Sequence, residues 1–137
     1  MSHKSSQVKG PVDGSVIFIG IRPDAFGPGA LPPGITAADL AVQIERGWAA
    51  IEAEGVEGEL CLIGTGPDEA EAELRERFAS RTFGVALVGG GIRMLPENTV
   101  LFERIVTVLT DLAPGIRFAF NTGPENSLEA LRRWLEP

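Results

Sequence analysis

Three consecutive glycines, Gly89 to Gly91, followed closely by Arg93, are the residues of this sequence best suited to holding a ligand. Without side chains in the way, successive peptide N–H groups can approach an anion and surround it. The Arg93 guanidinium lies just beyond and could clamp a carboxylate or a phosphate with two parallel hydrogen bonds. A tight turn beside a solvated or paired arginine would explain the same residues without any ligand.

Other polar residues follow other apolar segments and could contact the same ligand. Arg22 would be a second anion clamp, and Asp24 would supply a carboxylate for general acid–base work. Asn98, Asn121 and Thr122 could add hydrogen bonds. Each residue also has a structural explanation, as a surface arginine before a proline, a turn residue or a helix cap.

Several kinds of chemistry are excluded by residues that the sequence lacks. The only histidine, His3, lies near the N-terminus, and no G-x-S-x-G segment is present, so a Ser-His-Asp triad cannot be built. Neither the dinucleotide-binding motif G-x-G-x-x-G nor the P-loop motif G-x-x-x-x-G-K-[ST] occurs. Cys61 is the only cysteine, which rules out metal sites made of several cysteines or histidines and favours a core role for its thiol. The sequence identifies no cofactor or metal and leaves open whether the protein is an enzyme.

The overall composition limits the kinds of partner and the cellular compartment that we expect for the protein. The 137 residues carry a formal net charge of −7, whereas a nucleic-acid-binding domain would carry a basic patch. No apolar run reaches the roughly 20 residues of a membrane span, and the N-terminus has no apolar signal core. A single cysteine is typical of a reducing compartment. We therefore expect a cytoplasmic protein that binds neither nucleic acid nor membranes.

Apolar runs alternate with helical patterns, and this alternation must position the candidate residues. Four strands are predicted, each followed by a helix, at residues 15–21, 59–64, 83–88 and 116–120. The helices are predicted to begin near Thr36, Pro67, Pro96 and Glu125, the last ending at Leu135. Residues 1–14 are predicted to form a mobile tail, and residues 15–137 a single domain.

Strands followed by helices predict a parallel sheet inside a three-layer α/β/α sandwich of the Rossmann-like or flavodoxin-like type. The first and third strands are the most uniformly apolar, which favours central positions and the order 2-1-3-4. Ligands bind such sheets at the carboxyl ends of the strands, where the strand order reverses. That point lies between the first and third strands, and therefore between Arg22 and the triglycine.

The leading hypothesis is a protein that binds a small anionic metabolite there, under a long loop from Arg22 to Ile35. The alternative is a non-catalytic interaction module, homodimeric through apolar residues such as Phe26, Leu31 or Trp134. A flavin or nicotinamide oxidoreductase is a third hypothesis, because the fold permits it.

Two stretches also resemble a known set of proteins. These are Gly90-Gly91-Ile92-Arg93 through Pro96 and Phe102-Glu103, and Phe120-Asn121-Thr122 with Pro124. Together they are similar to an uncharacterised family of short bacterial α/β proteins of unknown function. The resemblance spans most of the chain after residue 15. It implies a small stand-alone Rossmann-like or flavodoxin-like domain and carries no activity with it.

Overall fold

A parallel four-stranded sheet forms the centre of the computed structural model, which describes residues 7–8 and 14–136, with side chains for 14–135. Its strands are β2 (Val16–Ile21), β3 (Gly58–Ile63), β4 (Val85–Val88) and β5 (Arg117–Phe120), in the order β3-β2-β4-β5. Two further strands, β1 (Gln7–Val8) and β6 (Leu135–Glu136), pair with each other in antiparallel orientation. The predicted strand order, 2-1-3-4 when only the central strands are counted, is confirmed.

Helices cover both faces of this sheet, which confirms the predicted three-layer α/β/α sandwich. The helices are α1 (Ala37–Ala53), α2 (Pro67–Ser80), α3 (Gly90–Arg93), α4 (Thr99–Leu112) and α5 (Ser127–Arg132). Short 3-10 turns follow β2 and β5, at Pro23–Ala25 and Pro124–Asn126, and a third, Pro96–Asn98, connects α3 to α4. Helices α1 and α5 contact each other, as do α2 and α4. Within the described residues, no helix is both long and apolar enough to cross a bilayer.

The side chains of β2 alternate between two apolar layers. Ile17 and Ile19 belong to the same core as Leu74 of α2, whereas Val16 and Phe18 pack with Ile51 of α1. Every residue of β2 and of β4 is buried. The two most apolar strands therefore occupy the two central positions, as their composition predicts for strands covered on both faces.

Helix α1 begins where the sequence places it. The Thr36 backbone N–H donates to Asp39 Oδ2 at 3.0 Å, and the Asp39 N–H donates to Thr36 Oγ1 at 3.0 Å, so the capping box is complete. Hydrogen bonding of the Asp39 carboxylate to the backbone and the side chain of Thr36 lowers the pKa of Asp39. At the other end the chain leaves the helix through Gly55, whose φ of +83° suits a residue without a Cβ.

The C-terminal helix is shorter than predicted. Instead of extending from Glu125 to Leu135, α5 ends at Arg132, and Leu135–Glu136 form a strand with Gln7–Val8. The chain leaves the helix in a tight turn, in which the Trp134 N–H donates to Leu131 O at 2.9 Å, and the Trp134 indole N–H donates to the Phe118 carbonyl of β5 at 2.6 Å. Part of the predicted N-terminal tail is thus strand β1, and residues 1–6 and 9–13 lie outside the described residues.

Side-chain N–H groups donate hydrogen bonds to backbone carbonyls along both edges of the sheet. At the β5 edge, Phe118 O accepts from Trp134, and Phe120 O accepts from Arg133 Nη2 at 2.8 Å. At the β3 edge, Leu60 O accepts from Arg77 Nη1 at 3.2 Å. Side chains that occupy edge carbonyls make it harder for a strand of another chain to pair there.

Candidate functional site

A cavity of about 310 Å³ opens at the carboxyl ends of β2 and β4, next to the start of α1. The strand order reverses at this point, because β3 and β5 lie on opposite outer sides of the β2–β4 pair. Apolar side chains make up most of the cavity wall: Phe18, Ile21, Phe26, Ala30, Leu31, Pro32, Ile35, Leu40, Ile44, Met94, Leu95 and Pro124. The polar side chains that line it are Gln43, Asn121, Thr122 and Glu125.

The long loop after β2 forms one wall and contains two tight turns. The Ala30 N–H donates to Gly27 O and the Ile35 N–H donates to Pro32 O, both at 3.1 Å. In each turn a proline stands second and a glycine with positive φ third, Gly29 at +75° and Gly34 at +80°. This is the residue pattern of the type II turn. Proline restricts the chain at both turns, so the loop presents its apolar side chains on a constrained backbone.

The triglycine segment lines the cavity, but two of its N–H groups already have partners. Gly89 N–H donates to Ile19 O, and Gly90 N–H donates to Asn121 Oδ1, each at 2.9 Å. None of the three glycines has a positive φ, so the alternating αR–αL backbone of an anion nest is absent here.

Close packing explains why glycine is needed in that segment. A Cβ at Gly91 would lie 2.8 Å from Phe26 Cζ, and a Cβ at Gly90 would lie 3.0 Å from the Thr122 carbonyl oxygen. The missing side chains let the cavity-lining loop and the end of β5 approach α3 directly.

Arg22 and Asp24 lie outside the cavity. Arg22 Nε is 3.4 Å from Asp24 Oδ1, in an exposed ion pair. The Arg22 guanidinium also lies beside Gly64, since a Cβ at Gly64 would be 3.4 Å from both of its terminal nitrogens. Arg22 therefore turns toward the carboxyl end of β3, at one edge of the sheet.

Arg93 is directed toward β5, the strand at the other edge of the sheet. Its Nη2 donates to the Asn121 carbonyl at 3.2 Å, and its guanidinium carbon lies 5.5 Å from the centre of the Phe120 ring. Arg93 Nε is buried and has no hydrogen-bond partner among the described residues. Since Arg93 also lies outside the cavity wall, the two arginines do not converge on one ligand position.

Asn121 joins three segments at the base of the cavity. It is 2% exposed, and while its Oδ1 accepts from Gly90, its Nδ2 donates to Ser127 Oγ at 2.9 Å. Ser127 Oγ in turn donates to Pro124 O at 2.8 Å. Both arms of the Asn121 carboxamide are therefore engaged in holding β5, α3 and α5 together.

Asn98 and Thr122 also make structural contacts. Asn98 is buried beneath α3 and donates from Nδ2 to the Gly91 carbonyl at 2.8 Å. Thr122 is exposed at the cavity wall, where its N–H donates to Asn126 Oδ1 and its Oγ1 accepts from Asn126 Nδ2. Of the predicted site residues, the structure thus places Asn121, Thr122 and the three glycines at the cavity, and it places Asn98, Arg22, Asp24 and Arg93 outside its wall.

No protein-family model, curated protein or solved structure matches this chain. The resemblance to a family of short bacterial proteins therefore stays a prediction, and function has to be argued from the geometry of the site itself. That geometry offers no cluster of three or more metal-ligating side chains within the described part of the chain.

Two polar residues that line the cavity, Gln43 and Glu125, are not among the site residues predicted from the sequence. Gln43 lies on the face of α1 that also carries Leu40 and Ile44, and a glutamine between two inward-facing apolar positions is a signal that could have identified it. The sequence predicts that Glu125 begins the last helix. It belongs instead to the 3-10 turn Pro124–Asn126, which lines the cavity.

Cys61 is fully buried in β3, and burial raises the pKa of its thiol to about 11. We expect Ellman's reagent to react with the folded protein at least about 100-fold more slowly than with the protein unfolded in guanidinium, because only a thiolate that the reagent can reach attacks it, and burial both hides the thiol and keeps it protonated. The release of the coloured thiolate at pH 8 measures both rates. Equal rates in the two states would show that the thiol is accessible and that the assigned core packing around β3 is incorrect.

Proposed function

We propose that the protein binds a small molecule in the cavity at the carboxyl ends of β2 and β4. The observation that carries this proposal is the cavity itself, whose volume of about 310 Å³ falls within the range of roughly 300–1,000 Å³ usual for ligand pockets. Its apolar wall with a few polar groups is the composition expected of such pockets. Its position at the reversal of strand order is where open parallel sheets take ligands.

The anionic ligand expected from the sequence has less support than a small molecule of unspecified charge. The two predicted clamps, Arg22 and Arg93, are engaged at opposite edges of the sheet. Homodimerisation through the predicted apolar residues has no comparable support either. Phe26 and Leu31 line the cavity, and the Trp134 indole N–H is hydrogen-bonded to the Phe118 carbonyl of β5.

Filling the cavity should abolish binding. Ala30 is half-buried in the cavity wall, so the indole of Ala30→Trp would occupy the space that a ligand needs. With 1-hexanol and benzyl alcohol as probes at millimolar concentration, we expect the backbone amide signals of residues 89–91 and 122 to shift in 1H–15N correlation spectra of the parent protein. In Ala30→Trp the affinity derived from these shifts should fall by at least about tenfold, a loss of about 1.4 kcal/mol or more.

Ala49→Trp is the matched control, because Ala49 is exposed on α1 and is not part of the cavity wall. This variant should bind both alcohols as the parent does. Amide shifts scattered over the surface, or shifts that survive unchanged in Ala30→Trp, would contradict a binding site in the cavity.

A further inference from the structure

We infer that the cavity selects a ligand with an apolar body and a protonated amine, and that the Glu125 carboxylate is the group that recognises the amine. This inference rests on the proposed function, because it requires the cavity to be the binding site. It names a ligand class of opposite charge to the one that the triglycine and the arginines suggest.

Glu125 is the only charged residue among the described residues that line the cavity. It forms no ion pair or hydrogen bond with another described side chain or backbone group. Its carboxylate folds back over Gly123, since a Cβ at that glycine would lie 2.7 Å from both carboxylate oxygens. Gly123 lines the cavity as well, so the absence of a side chain there leaves room for a negative charge at the cavity wall.

The remaining polar side chains of the wall are neutral. The Asn121 carboxamide has both arms engaged, and Thr122 Oγ1 already accepts from Asn126. The Gln43 side chain has no hydrogen-bond partner among the described residues. An amide and a carboxylate can both accept hydrogen bonds from an ammonium group, which donates up to three.

The charges near the wall disfavour an anion there. An anionic head group in the cavity would face the Glu125 carboxylate, with neither Arg22 nor Arg93 in the wall to offset the repulsion. A protonated amine reverses the sign of that interaction and forms a charge-assisted hydrogen bond, the stronger kind. The rest of the wall is apolar and contributes by removing the ligand's hydrocarbon from water.

Three probes with the same hydrocarbon chain and different head groups test the inference: hexylamine, 1-hexanol and hexanoate, titrated at pH 7 and low salt. Dissociation constants are read from the amide shifts of residues 89–91 and 122. Hexylamine should bind about 5- to 10-fold more tightly than hexanoate, with 1-hexanol between them, as expected for one partly exposed ion pair. In Glu125→Gln this ratio should fall to about twofold or less, while the affinity for 1-hexanol stays within twofold of the parent value.

Glu129→Gln is the matched control, because it removes one exposed negative charge from the adjacent helix α5 without touching the cavity wall. It should leave the hexylamine-to-hexanoate ratio unchanged, which separates local recognition from the general attraction of an acidic protein for cations. The inference is overturned if hexanoate binds in the cavity as tightly as hexylamine, or if the ratio survives in Glu125→Gln. Failure of all three probes, 1-hexanol included, to shift the cavity amides would instead overturn the proposed function.

Discussion

Asn121→Ala should lower the free energy of unfolding by about 2–4 kcal/mol, because it removes hydrogen bonds from the partly buried Gly90 N–H and the fully buried Ser127 hydroxyl. The Gly90 N–H loses its acceptor, and Ser127 Oγ loses a donor while keeping its bond to Pro124 O. Deleting the buried side chain also leaves a void beneath the cavity. Urea unfolding followed by circular dichroism measures the change.

The neighbouring substitution Thr122→Ala supplies the comparison. Thr122 is exposed and bonds only to Asn126 through its side chain, so we expect a loss of less than about 1 kcal/mol. Amide hydrogen exchange adds a local measurement. The Gly90 N–H should exchange much faster in Asn121→Ala than in the parent protein, and at the parent rate in Thr122→Ala. Equal stability of the two variants would show that the Asn121 carboxamide does not hold β5 to α3.

The sheet could be predicted from the sequence because its determinants are local and repeated. β2 and β4 are apolar at consecutive positions, and only strands covered on both faces gain from such composition. The Thr36–Asp39 capping box and the left-handed Gly55 likewise mark the two ends of α1 with short-range chemistry. Each signal depends on residues within a few positions of one another, which a sequence displays directly.

The directions of the two arginines could not be predicted in the same way. The sequence shows that Arg22 follows a central strand, but the Arg22 N–H donates to Ile63 O and the 3-10 turn begins at Pro23, which takes the chain toward β3. Arg93 lies in a short helix that buries Ile92 and leaves Arg93 to pack on Phe120. Strand order fixes which strand ends are neighbours, whereas the backbone of the first few following residues fixes where each side chain points.

The triglycine shows a second limit of sequence reasoning. Consecutive glycines indicate either unusual backbone dihedral angles or close packing of a neighbouring segment, and the sequence alone does not distinguish these two causes. Here the cause is the approach of Phe26 to Gly91 and of the Thr122 carbonyl to Gly90. Both partners are distant along the chain, so only the fold could distinguish packing from an anion nest.

Helix α1 should not tolerate a methyl group at Gly47, although alanine is the better helix former. A Cβ at this buried glycine would lie 2.5 Å from the Pro124 carbonyl oxygen and 3.2 Å from its carbonyl carbon, and a backbone carbonyl cannot rotate away as a side chain could. Helix propensity favours Gly47→Ala by about 1 kcal/mol. The clash should outweigh that gain and leave a net destabilisation of about 1–3 kcal/mol, typical of overpacking.

The reverse substitution on the exposed side of α1 measures the propensity term separately. Ala50→Gly should lower the free energy of unfolding by about 1 kcal/mol, since Ala50 is exposed and helix propensity is the main difference between the two residues there. If both substitutions lower the free energy of unfolding measured in urea, helix propensity cannot be the cause at Gly47. The amide signals of Gly123 and Glu125, on either side of Pro124, should then shift as Pro124 is displaced. A Gly47→Ala protein that is more stable than the parent would contradict this close approach. It would show that α1 lies farther from Pro124, and that the cavity is wider on the side of Glu125.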